Sequence, residues 1–342
     1  MEQTQVRRER VLSGVQPTGQ ATLGNYLGAF RQWRTQQEHY DAIFLIVDQH
    51  AITVEHSPVA LREGTLQMAA LLFAIGIDPQ RSTVVVQSHV AQHAQLAWLM
   101  ECTATYGELS RMIQFKEKSK GSAMVRASLF TYPALMAADI LLYQTDLVPV
   151  GEDQIQHIEL TRTVATRFNH AYGEVFVIPR AVIPSVAARV MDLSHPEAKM
   201  SKSSSDRQGN IYLLDSDDQI RRKIAKAKTD LFNEVRYVED DPERAGVRNL
   251  LEILAALNDR EPKEVASEFQ RYGDLKEATA DAVVAHLGPI RERYHTLLAD
   301  RTQLEAWLAI GRERANATAS VTLSRAYDAI GYLAPKEARY GD

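Results

Sequence analysis

Lys199 and Lys202 stand three positions apart in the stretch Ala198-Lys199-Met200-Ser201-Lys202-Ser203-Ser204-Ser205, which follows Pro196 and precedes the breaker cluster Asp206 to Asn210. Two ammonium groups set among small hydroxyl residues in a loop can present two positive charges to something anionic. A solvated Lys/Ser linker has the same composition, and nothing local separates the two readings. A second stretch of chemical interest lies near the start of the chain. Val11-Leu-Ser-Gly14 reads as a short strand running into Val15-Gln-Pro-Thr-Gly-Gln20, a loop rich in breakers, and the spacing from Asn25 to Trp33 predicts a helix. Its glycines match neither a phosphate-binding P-loop, since Gly19 is followed by Gln20 and Ala21, nor the G-x-G-x-x-G dinucleotide fingerprint. Thr22-Leu-Gly-Asn25 is more specific, because Gly24 lets a flat base approach the backbone where a helix N-terminus favours anions.

A scaffold must hold these loops. Ala42 to Asp48 is a continuous apolar run suited to a buried parallel strand, Thr83 to Val86 a third strand, Leu147 to Val150 a fourth, and Val175 to Ile178 is expected to be the last. Helical segments alternate with them: one opens at Ser57-Pro58 and stops at Gly76, another spans Gln92 to Glu101. Strands alternating with helices predict an α/β fold with a parallel, doubly wound sheet. After the lysine loop the pattern changes. Ser216-Asp-Asp-Gln219 is a capping box, and thereafter only helical patterns appear: Asn249–Leu257, Pro262–Tyr272, Leu275–Leu287, Ile290–Leu298, Leu304–Asn316 and Ser320–Ile330.

Composition bounds the rest. The 342 residues are 45% hydrophobic and 24% charged, enough for a sizeable core. The longest apolar run, Ala69 to Ile77, is far short of the roughly 20 residues a bilayer span needs, and the first ten residues carry no hydrophobic signal segment. A cytoplasmic protein with no membrane association is the expectation. Cys102 is the sole cysteine, and the apolar helical pattern around it predicts a small core residue. A net charge of -5 argues against general affinity for nucleic acid but not against a local basic footprint.

The pentapeptide from Lys199 to Ser203 resembles the signature loop of class I aminoacyl-tRNA synthetases. Gln16-Pro-Thr-Gly with Thr22-Leu-Gly-Asn25 resembles the first class I signature in the form found in tryptophanyl-tRNA synthetases. Val47-Asp-Gln-His-Ala-Ile-Thr53, Gln114-Phe-Lys-Glu-Lys118, Tyr132-Pro-Ala-Leu-Met-Ala-Ala-Asp-Ile140 and Pro149-Val-Gly-Glu-Asp-Gln154 match that family in the same order, so the resemblance runs from about Val11 to Gly331. It implies a Rossmann-like doubly wound parallel sheet over residues 1–191, completed by a C-terminal helix at 318–334. A smaller all-helical domain for the anticodon, with the lysine loop, would occupy 192–317.

The same resemblance implies an activity and its residues. L-Tryptophan would be activated with ATP and Mg²⁺, the metal travelling with the nucleotide rather than on protein ligands, and then passed to tRNA(Trp) by a homodimer. Lys118, Lys199 and Lys202 would face the pyrophosphate, with Gln16, Pro17, Thr18, Gly24 and Asn25 along the nucleotide and Ser201 and Ser203 in the closing loop. Gly151, Glu152 and Asp153 match the ribose turn, and the backbone at Val190 and Met200 would hold adenine. On a helix Tyr132, Met136 and Asp139 share one face, and the family places this aspartate on the indole N–H. Leu12, Val47, His50, Val148 and Val150 would complete the slot, while Tyr132 and Gln154 would hold the ammonium group.

Two departures qualify this picture. Thr22 and Asn25 replace the two histidines of the wider first signature, so a hydroxyl, an amide and backbone N–H groups must do the work of imidazolium. Ser204-Ser205 stands where an acidic residue is expected after the lysine loop. The RNA footprint is expected at Arg221, Arg222, Lys223, Lys226 and Lys228, with Arg312 and Arg314, although a solvated basic face has the same residues. A tyrosine-specific sister enzyme and a non-charging paralogue are the rival readings.

Overall fold

The computed structural model describes residues 7–120, 124–183, 190–200 and 206–334, so Ser201, Lys202 and Ser203 lie outside the described residues, as does the side chain of Lys118. Strands β1 (Arg10–Val15), β2 (Asp41–Ile46), β3 (Thr83–Val86), β4 (Leu147–Pro149) and β5 (Arg180–Val182) form one parallel sheet in the order β3-β2-β1-β4-β5. The run Ala42 to Ile46 is wholly buried, as a strand covered by helices on both faces requires. Chain order reverses direction between β1 and β4, and a crevice therefore opens at the carboxyl ends of those two strands.

The last strand is β5, and the expected strand at Val175 to Ile178 does not form. Its backbone groups are satisfied by side chains instead. Asn169 Oδ1 accepts the N–H groups of Val175 and Phe176, Asn169 Nδ2 donates to the Phe176 carbonyl, and Gln144 brackets the segment through Val177 N–H and the Val175 carbonyl. Val175 and Phe176 are apolar because they pack into the core, which an apolar run alone does not distinguish from a ladder.

The first connection holds α1 (Leu23–Asn25), a π-helical turn at Tyr26–Phe30 and α2 (Arg31–His39), where the spacing predicts one uninterrupted helix. Next come α3 (Asp48–Ala51) and α4 (Pro58–Ala74), the latter capped by Ser57 and stopped by Gly76 at φ +103°. Between β3 and β4 lie α5 (Gln92–Thr103), α6 (Tyr106–Ser110), α7 (Ile113–Ser119) and α8 (Ala127–Leu141), and α9 (Ile155–Tyr172) precedes β5. Cys102 is exposed, contrary to the expectation: the buried face of α5 is set by His93, Leu96 and Met100, and Cys102 is turned away from it.

The remainder is helical: α10 (Asp217–Ala225) with its Ser216/Gln219 capping box, α11 (Ala245–Asn258), α12 (Pro262–Ala266), α13 (Tyr272–Ala299) and α14 (Arg301–Ile330). The segment predicted to be helical from Pro262 to Tyr272 stops at Ala266. Two pairs of expected helices are single ones. α13 runs through Pro289, and α14 continues across the polar residues near Asn316 because Leu308, Ala315, Ala319, Leu323 and Ala326 keep one buried stripe along it.

That stripe seats α14 on the sheet. Gly311 lies against β3 so closely that an added Cβ would overlap the Val84 carbonyl, and Arg314 donates to the Pro79 carbonyl at 2.8 Å. The helix thereby covers β3, the edge strand. Gly311→Ala is expected to destabilise the protein by about 1 to 3 kcal/mol through overpacking, seen as an earlier urea midpoint; an unchanged midpoint would mean that the two backbones part without cost.

Candidate active site

The first signature is a local structure before it is a binding site. Thr22 and Asn25 form a capping box: Asn25 Oδ1 accepts from Thr22 N–H at 3.0 Å and Thr22 Oγ1 at 3.1 Å, while Thr22 Oγ1 accepts from Asn25 N–H at 3.3 Å. Thr22 is fully buried, so its hydroxyl serves the helix start and not a ligand. The Asn25 amide nitrogen is left as the donor at this position. Gln16, Thr18 and Gly19 are exposed at the carboxyl end of β1, with Pro17 buried between them.

The lysine loop is moored to this signature on both sides. Its incoming strand pairs with its own stem, Met200 N–H donating to the Val190 carbonyl at 3.0 Å and Asp192 N–H to that of Ala198 at 2.9 Å. Gly24 faces the Met200 carbonyl, and a Cβ added at Gly24 would stand 3.5 Å from it. Beyond the loop, Arg207 donates to Gln20 Oε1 at 2.9 Å. Lys199 is exposed between these moorings, and Lys202 follows three residues later, outside the described residues. Buried Asn249 of α11 clamps the stem from behind, accepting Met191 N–H and donating to the Met191 carbonyl, both at 2.9 Å. The loop is thus tied to the sheet and to the helical half at once. Asn249 lies on the apolar stripe of its helix between Leu250 and Ala245, and a polar residue in that place was the signal that sequence reading passed over.

At the carboxyl end of β4, Gly151, Glu152 and Asp153 are exposed in a turn leading into α9, and Gln154 Nε2 donates to Asp153 Oδ2 at 2.7 Å. Leu12, Val47 and Val148 belong to one buried cluster, against which Met136 and Val150 pack half-buried. Tyr132 has its hydroxyl 2.7 Å from His157 Nε2 and 3.3 Å from Gln114 Oε1; burial pushes its pKa up to about 12. Tyr132, Met136 and Asp139 all lie on α8, and Met136 packs against the cluster that holds Leu12, Val47 and Val148.

Asp139 is buried on α8 and held by four hydrogen bonds. Its Oδ1 accepts from Gln87 Nε2 at 2.8 Å and His93 Nδ1 at 2.6 Å; its Oδ2 accepts from Gln87 Nε2 at 2.9 Å and His50 Nε2 at 2.8 Å. A carboxylate offers about four acceptor sites, and here all are met. Burial pushes the carboxyl pKa up, but the hydrogen bonds of His50 and His93 outweigh it and hold the group at about 2. Gln87 cannot turn over, because its Oε1 accepts the Gln49 N–H at 3.0 Å. Neither Gln87 nor His93 stood out in the sequence. Gln87 directly follows β3, at the sheet end where ligands bind, and His93 interrupts the apolar face of α5; both were available signals.

The basic footprint separates into two groups. Lys223 is committed to Asp215 at 2.6 Å and to the Asn210 carbonyl at 2.7 Å, Arg314 to the fold as above, and Arg221 pairs with Asp281 at 2.6 Å. These three hold structure, since their partners are carboxylates and carbonyls of neighbouring elements. Arg222, Lys226, Lys228 and Arg312 are exposed.

Comparison with known proteins agrees with this geometry. The family model described as class I tRNA synthetases (W and Y) matches residues 4–288. The fold and the two moored signatures define a class I aminoacyl-tRNA synthetase, and the chain belongs to that tryptophan and tyrosine family. Its branch is that of the tryptophanyl-tRNA synthetases. Tryptophan-tRNA ligase 1 of Streptomyces coelicolor is 53% identical over 334 residues, 96% of this chain and 99% of the relative, and the Caldanaerobacter subterraneus ligase is 49% identical over 95% and 99%. Among solved structures, the tryptophanyl-tRNA synthetase of Mycoplasma pneumoniae superposes with a TM-score of 0.87 at 37% identity, covering 95% of this chain and 98% of its own. That of Campylobacter jejuni, complexed with ADP and tryptophan, gives 0.81 at 34% identity over 94% and 99%. Among the described residues no helix is long and apolar enough to cross a membrane.

Proposed function

We propose that the chain catalyses tryptophanyl-tRNA formation with the residues assembled above. A tryptophan carboxylate oxygen attacks the α-phosphorus of ATP, the bond to the β-phosphate breaks, and pyrophosphate leaves. A terminal ribose hydroxyl of tRNA(Trp) then attacks the adenylate carbonyl and releases AMP. No covalent enzyme intermediate is needed, so catalysis is positioning and charge stabilisation. Lys118, Lys199 and Lys202 meet the pyrophosphate. Gln16, Thr18, Gly24 and the Asn25 amide line the nucleotide, the Gly151-Glu152-Asp153 turn takes the ribose, and Val190 and Met200 flank adenine. Mg²⁺ enters with ATP as part of the substrate.

The observation that carries the choice of tryptophan is Asp139, buried and held ionised on the helix that also bears Tyr132 and Met136. An indole N–H that reaches it takes the place of one existing donor. His50 is the candidate for exchange, being 9% exposed where Gln87 and His93 are 0%. Tyr132 and Gln154 serve the ammonium group. We place the protein in the cytoplasm as a homodimer, in which residues 192–317 carry the anticodon and the exposed cations Arg222, Lys226, Lys228 and Arg312 meet RNA phosphates. Exposure of Trp98, Tyr106 and Ile113 on α5, α6 and α7, at 59, 79 and 56%, supports a second copy covering that face. Pyrophosphate exchange dependent on tryptophan but not tyrosine, followed by charging of tRNA(Trp), is the expected result. Exchange driven by tyrosine would sink the substrate assignment, and exchange without charging would make the chain a paralogue.

A further inference from the structure

Behind Asp139 lies a second layer that the adenylation chemistry leaves without a role. His93 presents Nδ1 to Asp139 and, on the other side of the ring, lies with Nε2 2.8 Å from the Tyr143 hydroxyl. Tyr143 sits four residues after Asp139, in the turn that follows α8, and both it and His93 are fully buried. With the His93 ring neutral, one arrangement of protons fits this chain of groups. With a lone pair on Nδ1, two acceptors would face each other at 2.6 Å, so the ring carries its proton on Nδ1 and donates it to Asp139. Nε2 is then an acceptor, and the Tyr143 O–H supplies the proton it needs. Burial and the nearby Asp139 charge keep that hydroxyl protonated.

We propose that Tyr143 and His93 form a positioning relay that fixes the Asp139 carboxylate for the indole N–H, so that selectivity for tryptophan depends on a hydroxyl two side chains removed from the substrate. The inference rests on the reading of Asp139 given above. The physical need is plain: when the indole displaces His50, the carboxylate keeps its orientation only through the inner donors Gln87 and His93. Gln87 bonds both oxygens and is indifferent to a small rocking of the group, whereas His93 holds one oxygen along a single direction. Without the Tyr143 O–H, a wholly buried Nε2 has no partner. The ring then gains by turning or exchanging tautomers, and either change takes the N–H away from Asp139.

Tyr143→Phe, His93→Asn and His93→Leu, compared with Asp139→Ala in amino-acid-dependent pyrophosphate exchange, test this. Tyr143→Phe preserves the ring and is expected to lower kcat/KM for tryptophan by about 10- to 100-fold, chiefly through the tryptophan KM, with the KM for ATP unmoved. The ratio of tryptophan to phenylalanine use narrows with it. His93→Asn keeps an N–H near the Nδ1 position and retains more of that ratio than His93→Leu, although leucine fills the space better. The relay is overturned if Tyr143→Phe and His93→Leu discriminate like the wild type while Asp139→Ala does not, or if leucine outperforms asparagine, which is the order packing alone would give. Wild-type discrimination in Asp139→Ala itself would instead remove the Asp139 reading and the relay together.

Discussion

Asp139→Ala is expected to erase most of the preference for tryptophan over phenylalanine. Tryptophan is the largest side chain, so a slot made to its size admits phenylalanine and tyrosine without a clash, and shape cannot reject them. A buried carboxylate can. When a smaller aromatic residue occupies the slot, Asp139 gains no indole N–H, and a site built to hydrogen-bond its substrate rejects analogues lacking the group by about 10⁴ to 10⁵. The ratio of kcat/KM values in pyrophosphate exchange should fall by orders of magnitude, and a wild-type ratio would refute the assignment. The substitution has a second consequence, because Gln87, His50 and His93 lose their shared acceptor. Each buried donor left without a partner costs about 1 to 3 kcal/mol, so the variant should unfold earlier as well. The pH dependence of stability follows in sign. A carboxyl held at about 2 in the fold against 3.8 ordinarily contributes stability that is complete above about pH 4 and is lost as pH falls through 2. The alanine variant should lack this part of the acid sensitivity.

Lys202→Ala is expected to slow adenylate formation in the pre-steady state by about 10² to 10³, the range typical of a donor aimed at transition-state charge. Negative charge grows on the bridging oxygen as the bond to pyrophosphate breaks, and an ammonium group there is worth more then than in the bound ground state. The moorings of the loop make this reading specific. Met200 against Gly24 and Arg207 on Gln20 bring the described residues on either side of the loop to the first signature, where the proposed function puts ATP. Weaker ATP affinity with an unchanged chemical rate would show that Lys202 only binds. Arginine at this position keeps the charge but spreads it over a rigid planar fork, and Lys202→Arg should recover part of the rate.

The clamp by Asn249 gives the loop a link to the helical half that a linker would not have. Movement of α11 relative to the sheet would shift Met191, and through the paired stem Met200, toward or away from Gly24. Such a path can couple capture of ATP to closure, as loops and lids do in other enzymes. Identical stem positions in nucleotide-bound and free crystals would count against it.

Resemblance to a family named both signatures, and the sequence by itself determined the parallel sheet and the helical second half. Those rest on local facts: continuous apolar runs of strand length, capping residues such as Ser57 and Ser216, and glycines at turns, all written within a few positions of one another. It also placed Tyr132, Met136 and Asp139 on one helical face, since period alone decides that. Tertiary structure decided what periodicity cannot. Apolar Val175 and Phe176 are core and not strand because Asn169 and Gln144 take their backbone groups, and Lys223 and Arg314 hold the fold because carboxylates and carbonyls from distant segments meet them. Above all, the state of Asp139 was not legible. Its four donor bonds come from Gln87, His93 and His50, 46 to 89 residues away, and only the meeting of α3, α5, α8 and the residue after β3 makes this carboxylate fixed and ionised.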